Sequence, residues 1–405
     1  MSTKYPGGII SKTAPVPSGN WATASASGIW TIDQVEYWLG QSLWPTPGVA
    51  APNGLWSWGN GNNGNLGLNN RTYYSSPKQV GSLTTWSKLN IGKADGASFA
   101  IKTDGTLWSW GTASSGALGL GNTTAYSSPK QVGALTNWST ISTGGGTAAI
   151  AIKTDGTLWG WGYNALGGLG LGNVTYYSSP KQVGALTSWL KVACGSYFTI
   201  AIKTDGTLWS WGRNNNGQLG LGNTTNYSSP KQVGALTAWS NVYAGRAQTL
   251  AIKTDGTLWS WGYNAAGQLG LNNRTNYSSP KQVGALTDWS KISPCGEMSL
   301  AIKTDGTLWS WGSNSSGVLG LGNNTNYSSP KQVGALTNWL KASGSGYSTL
   351  AIQTNGTLWG WGSSPNGELG LGNTTAYSSP KQVGSLTKWS DIMSGAGFTL
   401  ALKSI

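Results

Sequence analysis

The sequence predicts an all-β fold: a seven-bladed β-propeller closed by its C-terminal strand, with an extended N-terminal arm carrying one short helix. Three observations predict it. The string Leu-Trp-(Ser/Gly)-Trp-Gly occurs seven times, from Leu55, Leu107, Leu158, Leu208, Leu258, Leu308 and Leu358. Its spacing of 50 to 52 residues is that of one propeller blade. The two ends are complementary: Leu55-Trp-Ser-Trp-Gly59 lacks the strand that precedes every other copy, and the chain ends on that strand alone, Phe398–Ile405. Pairing one with the other closes a ring of seven and leaves no open sheet.

Residues 1–50 form the arm and anchor, and 51–405 the propeller. Residues 4–28 are rich in Pro, Gly, Ser, Thr and Ala and read as extended. Thr31 followed by Gln34 resembles a capping box, and Ile32, Val35, Trp38 and Leu39 then share one helical face. Gly40 and Pro45 end that helix. Alone it is too short to be stable, so it is expected to dock through Trp30, Ile32, Val35, Trp38, Leu39 and Trp44.

Each repeat reads as four strands, taken here from the second copy. Strand A is Phe99–Lys102 and Thr103-Asp-Gly105 a hairpin turn whose Asp-Gly tolerates positive φ. Strand B is Thr106–Trp110, followed by a Gly/Asn-rich loop. Strand C is Lys130–Val132 and strand D is Trp138–Ile141. A glycine-rich link then starts the next blade. Three tryptophans per repeat and four in the arm account for all 25, and the repeated ones are expected in the core between blades. Each buried aromatic removes about 150–250 Å² from water, roughly 4–6 kcal/mol gross.

The net charge is +13, and much of it is written into the repeat. Every blade has a lysine in Pro-Lys-Gln-Val (Lys78, Lys130, Lys181, Lys231, Lys281, Lys331, Lys381), and five have one in Lys-Thr-Asp-Gly. Such a ring favours solubility or an anionic partner. There is no histidine, which removes the commonest general base and metal ligand. The turn aspartates Asp104, Asp155, Asp205, Asp255 and Asp305 are one per blade, and the other carboxylates are scattered. The Gly-rich strings lack the Gly-Lys-(Ser/Thr) ending of a phosphate loop. No catalytic residue, metal site or cofactor is expected, and Cys194 and Cys295 read as free thiols. No window of about 18 apolar residues predicts a membrane span.

Comparing the repeats with one another separates two faces. Tyr-Ser-Ser-Pro-Lys-Gln-Val-Gly is the same in all seven copies. The segments after strand B and before strand A vary. In an antiparallel meander the B–C and D–A links share one face and the A–B and C–D links the other. The variable face is therefore expected to bind a partner through Tyr163, Tyr197, Arg213, Arg246, Tyr263 and Tyr347, tyrosine and arginine being frequent interface anchors.

Leu-Ala-Ile-Lys-Thr-Asp-Gly-Thr-Leu-Trp-Ser-Trp-Gly, clearest from Leu250, resembles the regulator of chromosome condensation repeat, and the match covers nearly all of 51–405. The resemblance implies a seven-bladed propeller that shares a blade between its ends and binds proteins. The arm segment Gly28-Ile-Trp-Thr-Ile-Asp-Gln34, with Leu43-Trp-Pro45, resembles virion structural proteins of tailed bacteriophages. That implies a non-enzymatic virion component (head decoration, fibre or appendage) located in the virion. It would join other virion proteins through residues 1–50 and show a host cell-surface glycan or protein its variable face. The alternative is an inhibitor or adaptor that binds another protein through that face. Nucleic acid ranks third.

Overall fold

The computed structural model describes residues 52–92, 96–145 and 148–404. The expected helix and its anchoring residues Trp30, Ile32, Val35, Trp38, Leu39 and Trp44 lie outside these.

The described residues form seven four-stranded antiparallel sheets. Blade 1 contains Trp86–Ile91, Ala97–Lys102, Leu107–Gly111 and Tyr126–Gln131, which are strands D, A, B and C in that order across the sheet. Blades 2 to 6 repeat this order, with D strands beginning at Trp138, Trp189, Trp239, Trp289 and Trp339. Blade 7 contains Trp389–Ser394, Phe398–Ser404, Asn53–Gly59 and Tyr74–Gln79. Phe398–Ser404 pairs with Asn53–Gly59 in unbroken register from Asn53 opposite Ser404 to Gly59 opposite Phe398. This is the expected closure.

The blade frame corrects the sequence reading. Strand D does not complete the blade of its own repeat but opens the next one, so the glycine-rich D–A link is a hairpin inside a blade. The true crossover is the C–D link, which runs from the outermost strand of one blade to the innermost strand of the next. Six residues separate Gln131 from Trp138. Extended, they reach about 20 Å, enough for three strand spacings of about 4.8 Å. The D strands touch their neighbours all the way round the axis, whereas strand C is the most exposed of the four.

Strand C also begins earlier than expected, at Tyr126 rather than Lys130, and contains Pro129. Proline cannot donate to a ladder, and the outer edge tolerates it. Strand B ends one residue later, at Gly111. In the A–B turn only Gly105 has positive φ, +77°. Gly105 N donates to Lys102 O and Lys102 N to Thr106 O. This is the expected hairpin turn over Thr103-Asp-Gly105, a three-residue loop with the left-handed position taken by the glycine alone.

The tryptophans divide into three classes. The second in strand B is fully buried in every blade (Trp58, Trp110, Trp161, Trp211, Trp261, Trp311, Trp361). Each donates its indole N–H across a seam to a backbone oxygen of the preceding blade's B–C loop, as Trp211 does to Gly168 O at 2.9 Å. The tryptophan that opens strand D is buried too, in edge contact with both strand-B tryptophans of its blade; Trp189 lies 6.2 Å from Trp209 and 5.8 Å from Trp211. The first tryptophan of strand B is half-buried under the lysine of Lys-Thr-Asp-Gly. Lys203 Nζ sits 3.8 Å from the Trp209 ring centroid and 5.1 Å from that of Trp189. Lys102, Lys153, Lys203 and Lys303 are themselves buried. They serve the core by cation–π contact and are withdrawn from any surface charge ring. The Pro-Lys-Gln-Val lysines remain on the outer rim.

Candidate functional site

Strand direction puts both variable segments at one end of the ring, and hydrogen bonds tie them together. Arg213 N donates to Tyr197 O, Tyr263 N to Ala247 O and Ser363 N to Tyr347 O, at 2.8–2.9 Å. The uniform A–B turns and C–D links are joined at the other end, where Trp138 N donates to Gly105 O and Thr103 N to Thr85 O.

At the centre of the variable face the D–A links of six blades surround a cavity of about 430 Å³. Gly145, Gly245, Gly296 and Gly346 bare their backbone to it, and Ser196 and Ser345 add hydroxyls. Arg246, Glu297 and Tyr347 supply the larger side chains. Arg246 Nη1 stands 3.7 Å from Glu297 Oε1, both exposed, so the pair holds each other only weakly and can exchange for a partner's charges. Tyr347 is 65% exposed.

A second cluster lies where blades 2 and 3 meet. The Tyr163 ring is 5.1 Å from that of Tyr197 and 4.8 Å from that of Tyr176. Burial, and then its bond to Tyr176, push the Tyr163 hydroxyl above the usual tyrosine range. Tyr197 has φ +69°, where the equivalent places in blades 1 and 7 hold Gly96 (+72°) and Gly397 (+80°). A bulky residue in that region is strained. Beside it Gly212 at φ +100° is obligatory, since a Cβ there would meet Tyr197 O at 2.4 Å.

The structure therefore gathers five of the six predicted residues into two groups. Tyr163 and Tyr197 touch, with Arg213 bonded to Tyr197 through its backbone. Arg246 and Tyr347 rim the central cavity. Tyr263 is half-buried, bonded through its backbone N–H to Ala247 O, and is not among the residues lining that cavity. Two members escaped sequence reasoning. Tyr176 directly precedes the uniform Tyr-Ser-Ser-Pro string, where Asn stands in blades 3 to 5 and binds the loop, as Asn226 Oδ1 accepts from Asn214 N. Glu297 lies in a segment already marked as variable, and its charge opposite Arg246 was the available signal.

The repeated aspartates are structural. Asp205 Oδ1 accepts from Thr207 N and Thr207 Oγ1, and Thr207 Oγ1 accepts from Trp209 Nε1. The same relay recurs at Asp104, Asp155, Asp255 and Asp305. The threonine hydroxyl holds each carboxyl below the usual range. Among the described residues no three His, Cys, Asp or Glu side chains converge as a metal site requires. Cys194 and Cys295 are buried on the D strands of blades 3 and 5.

Comparison with known proteins fits this geometry. The chain is 34% identical to the ultraviolet-B receptor UVR8 of Arabidopsis thaliana over 140 residues, 34% of this chain and 32% of that one. It is 35% identical to human protein RCC2 over 105 residues, 25% of this chain and 20% of that one. The chain thus spans a third or less of these relatives. Among solved structures, yeast RCC1 (Prp20) bound to Kap60 superposes with a TM-score of 0.77 at 19% identity, covering 88% of this chain and 89% of the other. Human WBSCR16 gives 0.75 at 19%, covering 87% and 99%. These likenesses concern the fold. The family model described as the RCC1-like domain matches residues 54–402, and the chain belongs to that family.

Proposed function

We propose that the protein is a non-enzymatic propeller that binds another protein through its variable face, as an inhibitor or adaptor does. The observation that carries this reading is the segregation of sequence variation. The seven near-identical blades differ mostly at one end of the ring, and there the differences place Arg246, Glu297 and Tyr347 round a central cavity and three tyrosines beside it. Side chains of this kind dominate protein interfaces. Solved propellers of the same fold carry protein partners, as yeast Prp20 carries Kap60.

Affinity capture with the full chain tests the reading. A partner retained by wild type should be lost from Arg246→Ala/Tyr347→Ala and kept by Lys181→Ala on the outer rim. Equal retention by all three would remove the variable face from the function. The virion role is a separate proposal resting on the arm sequence: a chain without residues 1–50 should fail to enter particles.

A further inference from the structure

Strand D carries a pattern that the function above does not use. Its third residue occupies the same register place in every blade, opposite the isoleucine or leucine of strand A: Lys88, Thr140, Lys191, Asn241, Lys291, Lys341 and Asp391. Because the D strands encircle the axis, these side chains form a belt round it. Each lysine reaches forward to the next blade. Lys88 Nζ donates to Ser139 O at 2.5 Å, Lys191 Nζ to Ser240 O at 2.6 Å and Lys291 Nζ to Leu340 O at 2.6 Å. Lys341 pairs with Asp391. That pair is the belt's one ion pair among the described residues, so three ammonium charges stay uncompensated on the inner wall. Each ammonium has three protons to donate; a carbonyl takes one, and at Lys191 the Asn241 amide oxygen takes a second.

A cavity of about 320 Å³ opens beside the belt, lined by Lys291, Lys341, Tyr243 and Ser293. Burial lowers the pKa of Lys191, and burial with the neighbouring Lys341 charge lowers that of Lys291. Both shifts are what cations short of counter-charge show.

We propose that the lysine belt, at Lys291 and Lys341 where the cavity opens, is a binding site for a compact, multiply charged phosphoryl anion. The donor set selects the class. Ammonium groups arranged round an axis act as separate point charges and suit the diverging oxygens of a tetrahedral phosphoryl group. A planar carboxylate favours the fork of an arginine, and the belt has none. The site is distinct from the variable face and does not depend on it.

Calorimetric titration of the full chain with inorganic pyrophosphate tests this, with sodium chloride balancing ionic strength. One anion should bind per chain. Lys291→Met should weaken it by about tenfold or more, the loss of one charge-assisted bond. Asp391→Asn releases Lys341 and should tighten binding, a gain that general damage to the fold cannot produce. Lys181→Met on the outer rim should change nothing. Absence of binding above the chloride control, citrate binding as tightly as pyrophosphate, or weaker binding by Asp391→Asn would each overturn the proposal.

Discussion

Trp58 Nε1 donates to Glu368 O at 2.8 Å across 310 residues of chain. It is the seventh copy of a bond that spans every seam, and it joins strand B of blade 7 to the loop of blade 6. Thr399 Oγ1 donates to the same oxygen at 3.0 Å, so both strands that close the ring grip one carbonyl. Trp58→Ala should destabilise the chain by about 3–5 kcal/mol, the range for removing a buried aromatic. Urea unfolding is the measurement, and Trp211→Ala at an ordinary seam should match it.

The two buried tryptophans of a blade should answer differently to phenylalanine. Trp211→Phe gives up a hydrogen bond and leaves the Gly168 carbonyl one donor short, a loss of about 1 kcal/mol or more. The indole N–H of Trp189 is buried with no acceptor among the described residues, and so are those of the other six strand-D tryptophans. Trp189→Phe removes that orphan. It should cost clearly less than Trp211→Phe in the same unfolding assay.

Glu368 is a buried carboxylate in a place where blades 3 and 4 carry Gln218 and Gln268. Its Oε2 accepts from Asn366 N as Gln218 Oε1 accepts from Asn216 N. Burial raises its pKa in the folded chain. A folded pKa above the unfolded one means stability is full at low pH and declines as pH rises through the folded value. Glu368→Gln should therefore raise the melting temperature at pH 8 and leave it nearly unchanged at pH 4.

The five turn aspartates act in the opposite sense. Their carboxyls are held down by the threonine hydroxyls, so their contribution is present above the unfolded pKa of about 3.9 and disappears as pH falls through the folded values. Replacing all five with Asn should flatten the fall in melting temperature on acidification. Blade 6 already has this form. Asn355 accepts from Thr357 there, and Gln353 replaces the lysine, so both charges of the turn are lost together.

Tyr197→Gly should separate stability from binding. Glycine relieves the positive φ, worth about 1 kcal/mol or more, while the contact with Tyr163 is lost. Stability should hold or rise slightly in urea, and retention of the partner should fall.

Much of this architecture was legible in the sequence. The repeat fixes the number of blades, and the incomplete copies at Leu55 and Phe398 locate the closure. The frame of the blade was not legible, because a period is the same wherever counting starts. Only the pairing of Trp189–Cys194 with Phe198–Lys203 shows which strand belongs where. The variable face could be deduced from link alternation, since shifting the frame by one strand leaves the two ends of the ring unchanged. Tyr176 and the lysine belt stayed hidden for a related reason. Each gains meaning from a residue in the next blade, Tyr197 for one and Ser240 for the other, about 20 and 50 positions away in the chain.

Because every repeat gives three strands to one blade and the fourth to its successor, the array is joined like overlapping shingles. Covalent chain crosses every seam through a C–D link, and the one join made by hydrogen bonds alone lies inside blade 7, between Phe398–Ser404 and Asn53–Gly59. Such an array has no privileged cutting point: an in-frame loss or gain of one period, begun anywhere, removes or adds one whole blade's worth of strands. Recombination between its near-identical copies would thus change the circumference of the ring before it damaged any single blade, and the seam angle set by tryptophans such as Trp58 would decide which circumferences close.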